Sequence, residues 1–107
     1  MENRYKITLS NNNLYKEIEL TQDVQQVKVG TGVDCDIRLR KDLFFGQIEL
    51  LFSKKNGEWS LRCSDNLYLT VGDIRKLMTK RLVHGDTLEV KYQDSDNLVY
   101  SSRCCKF

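Results

Sequence analysis

Apolar residues in this chain recur at every second position, in runs too short for a helix to explain. Ile48, Leu50 and Phe52 alternate with Gln47, Glu49 and Ser53, and Trp59, Leu61 and Cys63 follow the same rule a few residues on. A period of two marks a strand with one buried face. Between these runs stands Lys54-Lys55-Asn56-Gly57. Asn-Gly supplies positive φ at both central positions of a tight hairpin turn, so the two runs are expected to pair as neighbours.

The pattern extends along the chain. Residues 4–9 set Tyr5, Ile7 and Leu9 on one face, and the polar turn 10–13 leads into a partner strand over 14–20. Further strands are expected at 25–29, 67–71, 86–92 and 98–107, with Leu88, Val90 and Tyr92 pointing inward. With 107 residues, 40% hydrophobic and 30% charged, the chain can build one domain around a single core. Turn signals about every 8–12 residues then specify an all-β fold, an antiparallel β-sandwich of about ten or eleven strands. Its expected core includes Ile37, Ile48, Leu50, Trp59, Leu61, Leu88 and Val90.

Two segments depart from the simple pattern. In 28–39, KVGTGVDCDIRL, Gly30 and Gly32 interrupt the alternation that Cys35, Ile37 and Leu39 resume. A glycine-rich loop can cradle a phosphate. This one lacks the GK[ST] ending of a P-loop and the third glycine and helix of a dinucleotide fingerprint, so a tight turn between two short strands is expected. In 74–83, Ile74, Leu77, Met78 and Leu82 stand at helical spacing, but glycine-aspartate borders leave room for only about three turns. Short extended pieces across a bend are favoured over a helix. Arg75, Lys76, Lys80 and Arg81 cluster there without interleaved aromatics, which suits a solvated face better than a nucleic-acid surface. The net charge of +2 likewise gives no global attraction to nucleic acid.

Catalytic and metal chemistry find little footing. None of the four cysteines, Cys35, Cys63, Cys104 and Cys105, lies in a CxxC pair, and His84 is the single histidine. A zinc site with His84 lacks ligand spacing. A nucleophile drawn from Cys63 or Ser64 with His84 as base lacks any supporting motif. Free thiols, no metal, no cofactor and no catalysis are expected. No apolar run approaches the ~20 residues of a membrane span, and the first residues lack the apolar region of a signal peptide. A cytoplasmic segment that does not itself insert in a membrane is the expectation.

The order of these signals resembles the forkhead-associated (FHA) domain, an FHA/SMAD-like β-sandwich that reads phosphothreonine through the loops at one end. The resemblance covers 27–92. The family's Gly-Arg after its third strand looks like Gly30-Thr31, and its Asp-Ile pair looks like Asp36-Ile37. Its Ser-Arg-x-His-Ala segment falls on Phe44-Phe45-Gly46-Gln47-Ile48, and its Ser-x-Asn-Gly on Ser64-Asp65-Asn66-Leu67. The later Asn-Gly falls on Val71-Gly72, and the closing Gly-Asp is Gly85-Asp86. The resemblance implies that Thr31, Phe44 and Gln47 stand where a reader carries its Arg, Ser and His. A hydroxyl in place of a guanidinium removes the bidentate, charge-assisted contact a dianion needs. Only Asn66 keeps a family contact residue.

Such a pattern is similar to the N-terminal FHA-like module of FtsK/SpoIIIE-type membrane ATPases of type VII secretion. A single module over 1–107, at the N-terminus of a longer chain on the cytoplasmic face of the membrane, is the implied setting. The implied function is phosphate-independent docking of a protein partner at the loop end: Thr31, Gly32 and Asp34; Phe44, Phe45 and Gly46; Ser64, Asp65 and Asn66. Phe44 or Phe45 would be an apolar anchor if exposed, and both would be core if not. The alternative is a working phosphothreonine reader with unusual contacts. If the loops keep the family's geometry, Thr31→Arg with Phe44→Ser should begin to restore phosphate preference.

Overall fold

Each alternating run becomes a strand in the computed structural model, which describes residues 4–106 except the side chains of Ile74 and Arg75. Eleven strands are formed among the described residues: β1 (Tyr5–Asn11), β2 (Leu14–Leu20), β3 (Gln26–Gly30), β4 (Ile37–Arg38), β5 (Glu49–Lys55), β6 (Glu58–Cys63), β7 (Leu67–Val71), β8 (Ile74–Leu77), β9 (Thr79–Arg81), β10 (Thr87–Tyr92) and β11 (Leu98–Lys106). They form a six-stranded sheet in the order β2-β1-β11-β10-β7-β8 and a five-stranded sheet in the order β4-β3-β5-β6-β9. The fold is the expected all-β sandwich, and among the described residues no helix is long and apolar enough to cross a membrane.

The inward faces of the two sheets make one core. Ile48, Leu50, Trp59, Leu61, Leu88 and Val90 are all buried, as their alternation requires. Each such side chain stabilises the fold by roughly 1.5–3 kcal/mol relative to its exposed state. Ile37, expected among them, is only partly buried. It sits on β4, the two-residue edge strand of the smaller sheet, which pairs with β3 on one side. The β5–β6 turn is as expected, with φ 53° at Asn56 and 79° at Gly57.

Segment 74–83 is extended. β8 belongs to the larger sheet and β9 to the smaller, so the chain crosses between sheets at Met78. That crossing, rather than a helical face, brings Leu77, Met78 and Leu82 to the core. It also separates the basic residues that cluster in sequence. Lys76 lies over the Tyr68 ring at 5.3 Å, Lys80 reaches Asp86 at 2.9 Å, and Arg81 faces Glu58 at 3.6 Å.

The glycine-containing stretch, expected as a tight turn between two short strands, is a longer loop. β4 runs parallel to β3, with Val29 opposite Ile37 and Gly30 opposite Arg38. The strand expected over 35–39 shrinks to two residues because the loop must double back before it pairs. Asp36 secures the return by accepting the Lys28 backbone N–H at 2.8 Å, and the Leu39 N–H then donates to the Gly30 carbonyl at 2.7 Å. Gly30 is needed for close approach rather than for an unusual φ. A Cβ there would stand 2.3 Å from the Ile48 carbonyl oxygen and 3.0 Å from the Glu49 Cα. Gly30→Ala is therefore expected to cost roughly 3 kcal/mol in urea denaturation, because the backbone at Ile48 and Glu49 must move. Gly57→Ala meets no atom within 4 Å. It should cost only about 1 kcal/mol for its left-handed φ.

Candidate functional site

Strand register places five connections at one end of the sandwich, the β1–β2 turn among them because Ser10 pairs with Ser101. Gly30 pairs with Glu49, Leu50 with Cys63, Leu67 with Tyr92, and Lys91 with Leu98. Connections 12–13, 31–36, 39–48, 64–66 and 93–97 therefore converge there. Tyr5 pairs with Lys106 at the opposite end. A backbone bond from Gln93 N–H to the Asn66 carbonyl, 2.9 Å long, joins connection 93–97 to connection 64–66.

Thr31, placed from sequence on the docking surface, and Phe44, left open between anchor and core, both lie in the interior. Thr31 is 3% exposed. Its N–H donates to the Ile48 carbonyl at 3.1 Å, and its hydroxyl accepts the Ile48 N–H at 3.2 Å. A buried amide without a partner is costly, so the threonine hydroxyl serves the backbone instead of a ligand. Phe44 packs edge-on against Tyr100, with ring centroids 6.4 Å apart. Its neighbour Phe45 is 76% exposed. The two aromatics, open between core and anchor in the sequence, take one role each.

The exposed candidates are tied to one another. Phe45 donates its N–H to the Tyr92 hydroxyl at 2.9 Å, and the two rings meet edge-on at 5.7 Å. Gly46 follows with φ 71°. Ser64 accepts the Glu49 N–H at 3.3 Å and donates its hydroxyl to Asn66 Oδ1 at 2.8 Å. Asn66 Nδ2 donates to the Gln47 carbonyl at 2.8 Å. Asp65 is exposed beside them. In connection 31–36, the Gly32 carbonyl accepts the Cys35 N–H, and Asp34 receives Lys28 Nζ at 2.9 Å. That hydrogen bond holds the Asp34 carboxyl below its ordinary pKa.

One candidate cation cluster is present among the described residues: ligand atoms of Asp34, Cys35 and Glu49 lie within 4.8 Å of one another. Lys28 already engages Asp34, and burial raises the Cys35 thiol above its usual value, which disfavours a thiolate ligand. His84 takes no part in it. Its Nδ1 accepts the Lys106 N–H at 2.9 Å, at the end of the sandwich remote from Ser64. The structure therefore does not bring His84 together with Cys63 or Ser64. Burial also pushes the Cys63 thiol up to about 11 and the Cys104 thiol up to about 12.

Connection 93–97 went unrecognised in the sequence, where it reads as an ordinary polar turn. It forms one wall of a groove of about 490 Å³, completed by Phe45, Asn66 and Tyr92. The available signal was Tyr92, an aromatic at the last strand position before a loop, whose ring is buried while its hydroxyl reaches Phe45.

Thr31→Val should leave the Ile48 N–H buried without an acceptor and destabilise the chain by about 1–3 kcal/mol in urea denaturation. Thr31→Ser keeps the oxygen and should lose less. The burial of both side chains also revises the expected rescue of phosphate preference. Thr31→Arg with Phe44→Ser would place a guanidinium in the interior and remove a core ring, and should fail by unfolding.

No protein-family model and no curated protein matches the sequence. Solved structures do match. The Mycobacterium tuberculosis Rv1747 FHA-1 structure superposes with a TM-score of 0.58 at 14% identity, covering 95% of this chain and 96% of that one. An engineered FHA with a Myc-pTBD peptide gives 0.63 at 14% identity, covering 98% and 92%. The FHA2 domain of Rad53, complexed with a phosphotyrosyl peptide derived from Rad9, gives 0.59 at 11% identity, covering 98% and 77%. At these identities the likeness is one of architecture: the chain has the FHA fold.

Proposed function

We propose that this chain is a degenerate FHA module, non-catalytic, which docks a protein partner through its loop end without reading phosphate. The observation that carries the proposal is the burial of Thr31, whose hydroxyl is spent on the Ile48 N–H. The residue matched to a reader's Arg thus offers no charge, and its hydroxyl, buried and accepting the Ile48 N–H, is not presented at the surface to a ligand. The position matched to the reader's Ser is the core residue Phe44. Asn66, the one retained contact residue, uses its amide to tie Gln47 and Ser64. The carboxylates of Asp34 and Glu49 beside connection 31–36 would also repel a dianion.

Docking of a peptide by this fold has direct parallels, since two of the similar structures hold one. The setting we propose is the cytoplasmic N-terminal part of an FtsK/SpoIIIE-type ATPase of type VII secretion, with 1–107 as one module. That setting is supported by the residue pattern alone.

Phosphorylation should improve binding by less than about threefold, equivalent to roughly 0.7 kcal/mol. Calorimetry with matched threonine and phosphothreonine peptides drawn from a degenerate library measures it. A single peptide with micromolar affinity that depends on its phosphate would overturn the proposal.

A further inference from the structure

We infer that Phe45 is the centre of a two-sided docking ridge that takes an extended, basic segment of a partner protein, with one apolar side chain of the segment on each side of the ring. The inference rests on the reading of the loop end as a docking surface, and adds the chemistry of the segment.

Phe45 is 76% exposed and lines a groove shared with the exposed Leu98, so its apolar surface is part of a patch rather than an isolated side chain. Phe45 is not free to fold away. Its backbone is held by the Tyr92 hydroxyl and its ring rests edge-on against Tyr92, so it is presented in a fixed orientation. Rigid aromatics of this kind are the anchors that dominate interfaces. Two grooves adjoin at the Phe45–Tyr92 pair and share only those two residues. One, of about 490 Å³, runs along connection 93–97. The other, of about 460 Å³, runs between Leu43 and Leu98 on its apolar side and the polar turn from Ser10 to Asn13 on the other. Leu98 is 45% exposed and extends the apolar surface of the second groove. An extended chain crossing the ridge would place a side chain in each.

Charge decides which segment fits. Neither groove is lined by any Lys or Arg, and Asp94 is the single carboxylate lining either of them. Asp65, next to Asn66, adds a second exposed carboxylate at the rim. Of the cations near the Asp94 side, Lys91 faces Glu89 at 3.7 Å and Lys76 covers Tyr68, while the exposed Lys41 lies on the Leu43 side of the second groove. The net charge of the whole chain is +2, so this acidic rim is a local feature that opposes the overall charge. A Lys or Arg beside the apolar pair would be attracted to Asp94, and an acidic or phosphorylated residue would be repelled.

The test is selection of displayed random nonapeptides against the intact chain, in parallel with Phe45→Ala, Asp94→Asn and Asp94→Lys. All three substitutions are at surface positions, and amide NMR spectra of each variant report on the fold. Peptides with two apolar residues and a Lys or Arg at a fixed offset should be enriched, and should shift amides around Phe45, Tyr92 and Asp94. Phe45→Ala should weaken the best peptide by about thirtyfold. Asp94→Asn should weaken it by about threefold. Asp94→Lys should turn the enriched charge from basic to acidic. Enrichment of acidic peptides at the loop end, or indifference to Phe45→Ala, would overturn the inference while leaving the docking reading intact. Peptides that bind only at the opposite end, or no enrichment at all, would overturn both.

Discussion

The paired hydrogen bonds between Thr31 and Ile48 fix the geometry on which the loop end depends. They join the exit of β3 to the residue before β5, at 3.1 and 3.2 Å. Gly30 makes them possible, since any Cβ there would press on the Ile48 carbonyl. From this point the constraint passes outward by a series of short bonds. Glu49 and Ser64 exchange two, at 3.0 and 3.3 Å, which carries it from β5 to the end of β6. Asn66 ties back to Gln47, and its carbonyl accepts the Gln93 N–H from the other sheet. The connections therefore form one braced surface, although each has little regular structure of its own.

The same bonds set what the surface can do. Polar groups of the loop end are engaged in bracing: the Thr31 and Tyr92 hydroxyl oxygens accept the Ile48 and Phe45 N–H groups, and the Asn66 amide donates to the Gln47 carbonyl. What the groove beside them presents is the Phe45 ring, polar side chains of connection 93–97 and the Asp94 carboxylate. Hydrogen-bonding capacity spent on rigidity leaves recognition to shape, apolar contact and local charge. The division between Phe44 and Phe45 expresses this in two consecutive residues, one closing the core against Tyr100 and the other standing over Tyr92.

Much of the scaffold was legible in the sequence because period-two alternation and turn chemistry are local signals. Leu14–Leu20, Glu58–Cys63 and Leu67–Val71 fall on their expected limits, and Asn56-Gly57 adopts its expected turn. Non-local facts were not legible. The parallel pairing of β4 depends on Asp36 reaching the Lys28 amide, a bond that no alternation encodes. The burial of Thr31 depends on an amide seventeen positions away. Phe44 and Phe45 follow a short 3-10 turn, Lys41–Leu43, which breaks the strand period, so adjacent aromatics there have no assignable face. The groove beside Phe45 depends on β10 lying next to β7, which is set by topology rather than by any motif.

Native-state hydrogen exchange at the Ile48 amide tests the central claim, that the Thr31 hydroxyl is structural and not available to a ligand. A buried amide held by a side-chain oxygen opens only when the surrounding unit opens. Ile48 should accordingly exchange with a free energy close to that of global unfolding, and Thr31→Val should lower it toward that of a loop. Exchange of Ile48 in the wild-type chain at the rate of an unprotected loop amide would contradict the account.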